Sequence, residues 1–299
     1  MKSNEGETSV EKILHYSVNT DRGAKRVLIS SDVHYTDLAN YHVIFKMSKE
    51  ERMQYWVDCV KAEHEKEPLD LLVVNGDVSL DHWSAGGSAN DGGTGTTGEF
   101  VAKYLSQLPE ELPVFVMAGN HEQYSDADWF EITGNHRQGA MIFNNALFLF
   151  LDNYNANLNP TENNDGSCTQ TDVDYINEMM ELYPSCDVYL ISHYFDITNE
   201  SDTFKQLVAK NERIKGLFEG HTHNASTITL GEAWSGKTIA QTGTFANTDE
   251  DNFWGFRELI IASDSAYSKF IKIPTDASTD VTSTFERAYK IVYARSVEE

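Results

Sequence analysis

Basic side chains are scarce in this chain of 299 residues: 23 Lys and Arg stand against 47 Asp and Glu, a formal net charge of −24. A surface so acidic repels polyanions over most of its area and disfavours a long nucleic-acid footprint, although bound cations can reverse the sign at one local site. Cysteine is scarcer still, with only Cys59, Cys168 and Cys186. They form no close metal-type pair, and an odd count argues against a disulfide scaffold. No run of about 18 apolar residues is present, so no membrane-spanning helix is expected. The first residues, MKSNEGETSVEK, lack an apolar signal core, and a cytoplasmic location is the expectation. The glycine-rich stretch SAGGSANDGGTGTTG (84–98) carries no lysine of a phosphate-binding P-loop.

What remains is ordinary for a globular protein: 40% hydrophobic and 23% charged residues, with enough length to bury a sizeable core. Short apolar, β-branched runs recur, each followed by polar residues. VLIS (27–30) leads into SDVH, LLVV (71–74) into NGDV, VFVM (114–117) into AGNHE, and VYLI (188–191) into SHYF. Such runs predict buried strands ending in loops. ALFLFLD (146–152) predicts a further strand. Residues 41–66 carry Val43, Ile44, Met47, Trp56, Val57 and Val60 among charges, an amphipathic helical pattern. Shorter helices are expected over 99–108 and 171–182, the latter capped by Thr171 with Asp174. Beyond residue 216, LFEG, STITL, KTIAQ, RELIIA and KFIKI predict a run of strands with antiparallel pairing. The expected fold is α/β, with a mixed sheet or two packed sheets flanked by helices, organised as a single domain over 1–299. The stretch 84–98 is expected to be either a flexible insertion over a site or a linker.

The polar residues behind the apolar runs form a set: Asp32 and His34, Asp77, Asn120 and His121, His193, and then His221 and His223 behind LFEG. Five of ten histidines therefore stand at strand ends, positions that converge on one crevice in an α/β fold. Any one of them alone is more simply a surface or core histidine. Together they offer imidazole and carboxylate donors suited to zinc, iron or manganese. Seven ligands are too many for one tetrahedral ion, whereas two ions sharing Asp77 would use them all.

In this order, SDVH, NGDV, AGNHE, SHYF and GHTH resemble the calcineurin-like metallophosphoesterase superfamily, whose pattern is D-x-H, G-D, G-N-H-[ED], a lone H, and G-H-x-H. The likeness spans residues 32–223, about two thirds of the chain. It implies the four-layer αββα fold of that superfamily and two divalent or trivalent metal ions (Mn, Fe or Zn) as cofactors. Carried over residue by residue, it implies that Asp32, His34 and His223 hold one metal, Asn120, His193 and His221 the other, and that Asp77 bridges them. It further implies that His121 sits just off the metals, contacts a phosphate oxygen and protonates the leaving group. Asp77, Asn120 and His121 are then the catalytic set. Two cations about 3.5–4 Å apart would hold a hydroxide that attacks phosphorus in line with the leaving oxygen. GDVSLDHW departs from the G-D-x-V-D-R-G of the phosphoprotein phosphatase branch, and AGNHE from its R-G-N-H-E, which sets the chain outside that branch.

The expected substrate is a small phosphomonoester or phosphodiester. Tyr35, His82, Trp83, Tyr124, Tyr194 and Phe195 neighbour the ligands in sequence and are the candidate wall of its pocket. Two alternatives use the same residues. One is metal-dependent hydrolysis of a C–N or C–O bond, and the other is a non-catalytic interaction domain stabilised by metal.

Overall fold

The computed structural model describes residues 23–38, 41, 45–83, 96–143, 145–159, 165–246, 253–275 and 286–294. The first half of the chain gives β1 (Lys25–Ser30), α1 (Lys49–Lys66), β2 (Leu71–Asn75), α2 (Thr96–Lys103), β3 (Val114–Met117), α3 (Asp126–Thr133), β4 (Gly139–Phe143) and β5 (Ala146–Leu151). A short hairpin of β6 (Leu158–Asn159) and β7 (Asp165–Gly166) precedes α4 (Val173–Leu182), β8 (Asp187–Ser192), α5 (Asp202–Lys210) and β9 (Ile214–Glu219). The remainder is β10 (Thr227–Thr229), β11 (Thr238–Gln241), β12 (Gly255–Ile261), β13 (Ser265–Lys272) and β14 (Glu286–Ala294).

Two six-stranded mixed sheets result, ordered β14-β13-β12-β1-β2-β3 and β10-β11-β9-β8-β5-β4. The runs read from sequence are apolar throughout because both faces of the central strands are covered. In β1, Val27 and Ile29 enter a cluster shared with Phe148, Tyr189 and Phe218 of the other sheet. Leu28, between them, points the opposite way into a cluster with Met53, Trp56, Val57 and Val60 of α1. On the far side, Leu149 and Leu190 pack against Ile176 and Met179 of α4 and Phe204 of α5. The layers are therefore helix, sheet, sheet, helix, the expected αββα arrangement. No helix among the described residues is long and apolar enough to cross a membrane. The three cysteines are free.

Several boundaries differ from the sequence reading. The helix expected from residue 41 begins at Lys49, because Ser48 and Glu51 close a capping box there. Residues 42–44 lie outside the described residues. Asp172, not Thr171, caps α4 by accepting from Tyr175 N at 3.0 Å. Thr171 instead donates its hydroxyl to Glu200. Of the glycine-rich stretch, 84–95 lie outside the described residues, while 96–98 form the first turn of α2, where Asp81 accepts from the amides and hydroxyls of Thr96 and Thr97. In the second half β9 and β11 pair parallel, whereas β10 with β11 and β12 with β13 follow the antiparallel expectation. The helices α3 and α5 escape sequence reading because they bury one and two residues respectively, too few to establish a period.

Arg52 links this scaffold to the loop behind β1. Its guanidinium is fully buried and donates to the carbonyls of Val33 and Phe245 at 2.6 Å and of His34 at 2.7 Å. Burial pulls its pKa down to about 9, which leaves it charged at neutral pH. Arg52→Met strands those carbonyls without donors and is expected to cost about 3 kcal/mol of stability, measured by urea unfolding. An unchanged midpoint would remove this residue from the support of the loop.

Candidate dinuclear metal site

Each functional loop leaves the carboxyl end of a parallel strand. Asp32 and His34 follow β1, Asp77 follows β2, and Asn120 and His121 follow β3, all in one sheet. His193 follows β8, and His221 and His223 follow β9, in the other. The loops are tied to one another by their backbones. Asp32 N donates to Gly76 O at 3.1 Å, His34 N to Asp77 O at 2.9 Å, and Gly220 N to His193 O at 2.8 Å. Asn75 joins the two sheets by donating its side-chain amide to Ser192 O at 2.9 Å.

Two glycines of the motifs are dictated by this crowding. A Cβ on Gly119 would collide with the carboxylate and backbone of Asp77, and one on Gly220 with the Ser31 hydroxyl and the Asp32 carboxylate. Strain is also stored in the ligating residues themselves. Asp32, His34, Asp77, His221 and His223 all adopt left-handed backbone, with φ between 45° and 60°. Non-glycine residues rarely do so, and such conformers concentrate where a site must hold side chains in set directions.

The donor atoms converge as three overlapping groups, each with its atoms within 4.8 Å of one another: Asp32–His34–His223, His34–Asp77–His121 and Asp77–His193–His221. In the first, the Nε2 atoms of His34 and His223 lie 3.1 Å apart, and His223 Nε2 is 3.3 Å from Asp32 Oδ1. In the last, Asp77 Oδ2 is 3.2 Å from His193 Nε2, and Asn120 Oδ1 lies 3.1 Å from His193 Nε2 and 2.9 Å from His221 Nδ1. His193 Nδ1 donates to Asn75 O at 2.7 Å, which turns its Nε2 toward the site. A backbone carbonyl on the rear nitrogen is the usual support of a metal-ligating imidazole. Mixed nitrogen and carboxylate donors at this spacing fit two cations of the zinc, iron or manganese type. Asp77, common to two groups, is the element that joins them.

The electrostatics agree. Burial works to raise the carboxyls of Asp32 and Asp77, yet both are held below the usual range, Asp32 by His223 and Asp77 by His121 and His193. Burial likewise opposes charge on His121 and His193, but Asp77 together with Asp165 at the first, and Asp77 together with Asp32 at the second, outweighs it and lifts them to about 9 and about 10. His34 and His221 go the other way: burial lowers both, His221 to about 4. Without cations, imidazolium protons balance the carboxylates; bound cations take over that role and release protons.

Sequence reasoning did not assign the supports. Glu122 accepts from Asp77 N at 3.0 Å, Ser79 N at 2.8 Å and Gly119 N at 2.9 Å, fixing both loops that flank Asp77. Burial and Asp77 push its carboxyl up to about 8. Glu122 stands in AGNHE, so a signal existed. Tyr41, with its ring 5.0 Å from that of His34, and Asp165, on β7, had none.

The six expected wall residues divide. The ring of Trp83 lies 6.2 Å from that of His121, and the ring of Tyr194 lies 4.6 Å from that of His221; both are half-buried at the site. His82 and Tyr124 pack edge to face at 4.5 Å, with the Tyr124 hydroxyl on Asp81. Tyr35 and Phe195 do not line the site. Tyr35 is buried against Phe100 and Tyr104 with its hydroxyl on Glu99, and Phe195 is buried against Phe204. Each follows a ligand by one or two residues, and the chain turns it into the core.

Two mixed sheets between helices, with paired His/Asp clusters at one set of strand ends, define a dinuclear metallohydrolase. The family model for calcineurin-like phosphoesterases matches residues 25–225, and the chain belongs to that family. It is a metal-dependent phosphoesterase with two candidate metal-binding clusters. No curated protein matches it by sequence. Among solved structures it is similar to a dimetal phosphatase from Danio rerio, with 13% identity, a TM-score of 0.60, and coverage of 91% of this chain and 99% of that one. It is also similar to PhoD, with 11% identity, a TM-score of 0.56, and coverage of 92% and 70%. A third is GAP50, the anchor in the inner membrane complex of Plasmodium, with 11% identity, a TM-score of 0.50, and coverage of 93% and 91%. At these identities the likeness is one of fold.

Proposed function

We propose that the protein hydrolyses a small phosphomonoester or phosphodiester, with Asp32, His34 and His223 holding one cation, Asn120, His193 and His221 the other, and Asp77 shared between them. The observation that carries this reading is the position of Asp77, within ligand distance of His34 on one side and of His193 and His221 on the other. Manganese, iron or zinc bound there would supply Lewis acidity, neutralising phosphoryl charge and making water acidic enough to react near neutral pH.

The protein's own residues orient and move protons. His121 Nε2 lies 3.4 Å from Asp77 Oδ2 and so faces the middle of the site. A proton on that nitrogen bonds a phosphoryl oxygen of the bound ester and passes to the leaving oxygen as its bond to phosphorus breaks. Left-handed backbone at five ligand positions holds the donors in place before substrate arrives. Tyr41, Trp83 and Tyr194 present aromatic surface beside His34, His121 and His221, which suits a substrate carrying a flat or apolar substituent.

The test is protein loaded separately with each metal and assayed on p-nitrophenyl phosphate, bis-p-nitrophenyl phosphate, and a panel of nucleotides, cyclic nucleotides and sugar phosphates. Hydrolysis of at least one class is expected; none, with both metals bound, defeats the proposal. On esters whose leaving group is a weak acid, His121→Ala should lower kcat/KM by about 10²–10⁴-fold while elemental analysis still finds two metals per chain. Loss of metal in that variant would make His121 a ligand instead.

A further inference from the structure

The structure assigns to Asp165, on the β6–β7 hairpin outside all five motifs, the positioning of both Asn120 and His121. The inference rests on the reading of the site proposed above. Asp165 Oδ1 lies 3.1 Å from His121 Nδ1. Both carboxylate oxygens accept from Asn120 Nδ2 at 2.9 Å, and Oδ1 also accepts from its neighbour Gly166 N at 2.9 Å. The hairpin is itself fastened to the loop it serves, because Gly166 N donates to Asn120 O at 2.8 Å.

The chemistry follows from what a carboxylate can do. It accepts hydrogen bonds and donates none, so it selects the NH₂ end of the Asn120 amide. The carbonyl end is then forced to the opposite side, where Oδ1 meets His193 Nε2 and His221 Nδ1. Only that end can ligate a cation. On His121 the same carboxylate requires hydrogen on Nδ1 and turns Nε2 to Asp77. One acidic side chain thus sets the direction of a ligand and of a proton donor that are adjacent in sequence.

In hydrolysis of a phosphomonoester, the water oxygen bonds to phosphorus as the phosphorus–oxygen bond to the leaving group breaks. The proton on His121 Nε2 goes to the departing oxygen, and a proton from the attacking water restores it. Leaving groups that are weak acids need that proton, and p-nitrophenolate does not. Asp165→Asn keeps an oxygen that accepts from Asn120 but loses the charge facing His121. It should keep two metals per chain and lower kcat for an alkyl phosphate about 100-fold, with less than about a fivefold change for p-nitrophenyl phosphate and a near-constant KM. Asp165→Ala releases the Asn120 amide as well and should in addition lose one metal per chain by elemental analysis.

Equal losses on both esters in Asp165→Asn, or full metal content in Asp165→Ala, would overturn the assignment. If the unaltered protein holds two metals yet cleaves neither ester, the phosphoesterase reading fails. The metal content of Asp165→Ala then still decides whether Asp165 orients Asn120.

Discussion

Asp77→Asn is expected to remove the second metal and to lower kcat/KM by at least about 1,000-fold, roughly 4 kcal/mol of transition-state stabilisation. The carboxylate of Asp77 belongs to two of the three donor groups and meets His34 on one side and His193 and His221 on the other. An amide in its place has one acceptor oxygen and no charge, and its NH₂ would face the imidazoles of His121 or His193, now 3.4 Å and 3.2 Å from Oδ2. Glu122 holds the Asp77 and Gly119 amides independently of the Asp77 side chain, so the loop should keep its path. The variant is therefore expected to fold, with unchanged circular dichroism. Elemental analysis and steady-state kinetics together decide the matter. Two metals per chain with activity within tenfold of the parent would show that Asp77 does not bridge.

Chelation is expected to lower the melting temperature by roughly 6 °C. Five ligand residues sit in left-handed backbone, each conformer costing about 1–3 kcal/mol, and Asp77 is buried close enough to Asp32 to oppose its ionisation. Cations that bind only the folded chain offset these terms by about 4 kcal/mol at a thousandfold excess over Kd. For a chain of this size that corresponds to the stated shift. The sign with pH follows from competition. His193, lifted against burial to about 10 chiefly by Asp77, is protonated at pH 8 and below without metal, and bound metal must displace that proton at a cost that grows as pH falls. The gap between the metal-loaded and chelated forms should therefore narrow from pH 8 to about pH 5. Thermal scans with excess manganese or zinc against chelator measure it directly. Coincident melting curves would mean that the clusters bind no metal strongly.

Much of this site is legible in the residues themselves. The strands that carry Asp32, Asp77, Asn120 and His193 are covered on both faces and so contain unbroken apolar runs, and each ligand stands within four residues of a strand end. Glycines at 119 and 220 are visible too, though their reason is not. Gly119 clears the Asp77 carboxylate and Gly220 clears Ser31 and Asp32, which are contacts between segments far apart in the chain. Proximity in sequence misleads where side-chain direction matters. Tyr35 and Phe195 adjoin ligands yet enter the core, while Tyr41, seven residues from His34, covers its ring.

The sequence alone determined the donor inventory, its order, the strands that deliver it and hence the family and metal chemistry, because all of these are local patterns of residue type. Only the tertiary structure decided which donors face one another, which aromatics reach the site, and that Arg52, Glu122 and Asp165 hold the loops in place. Those roles depend on distances across the sheets and on the direction of each side chain, and neither is encoded in the spacing of residues along the chain.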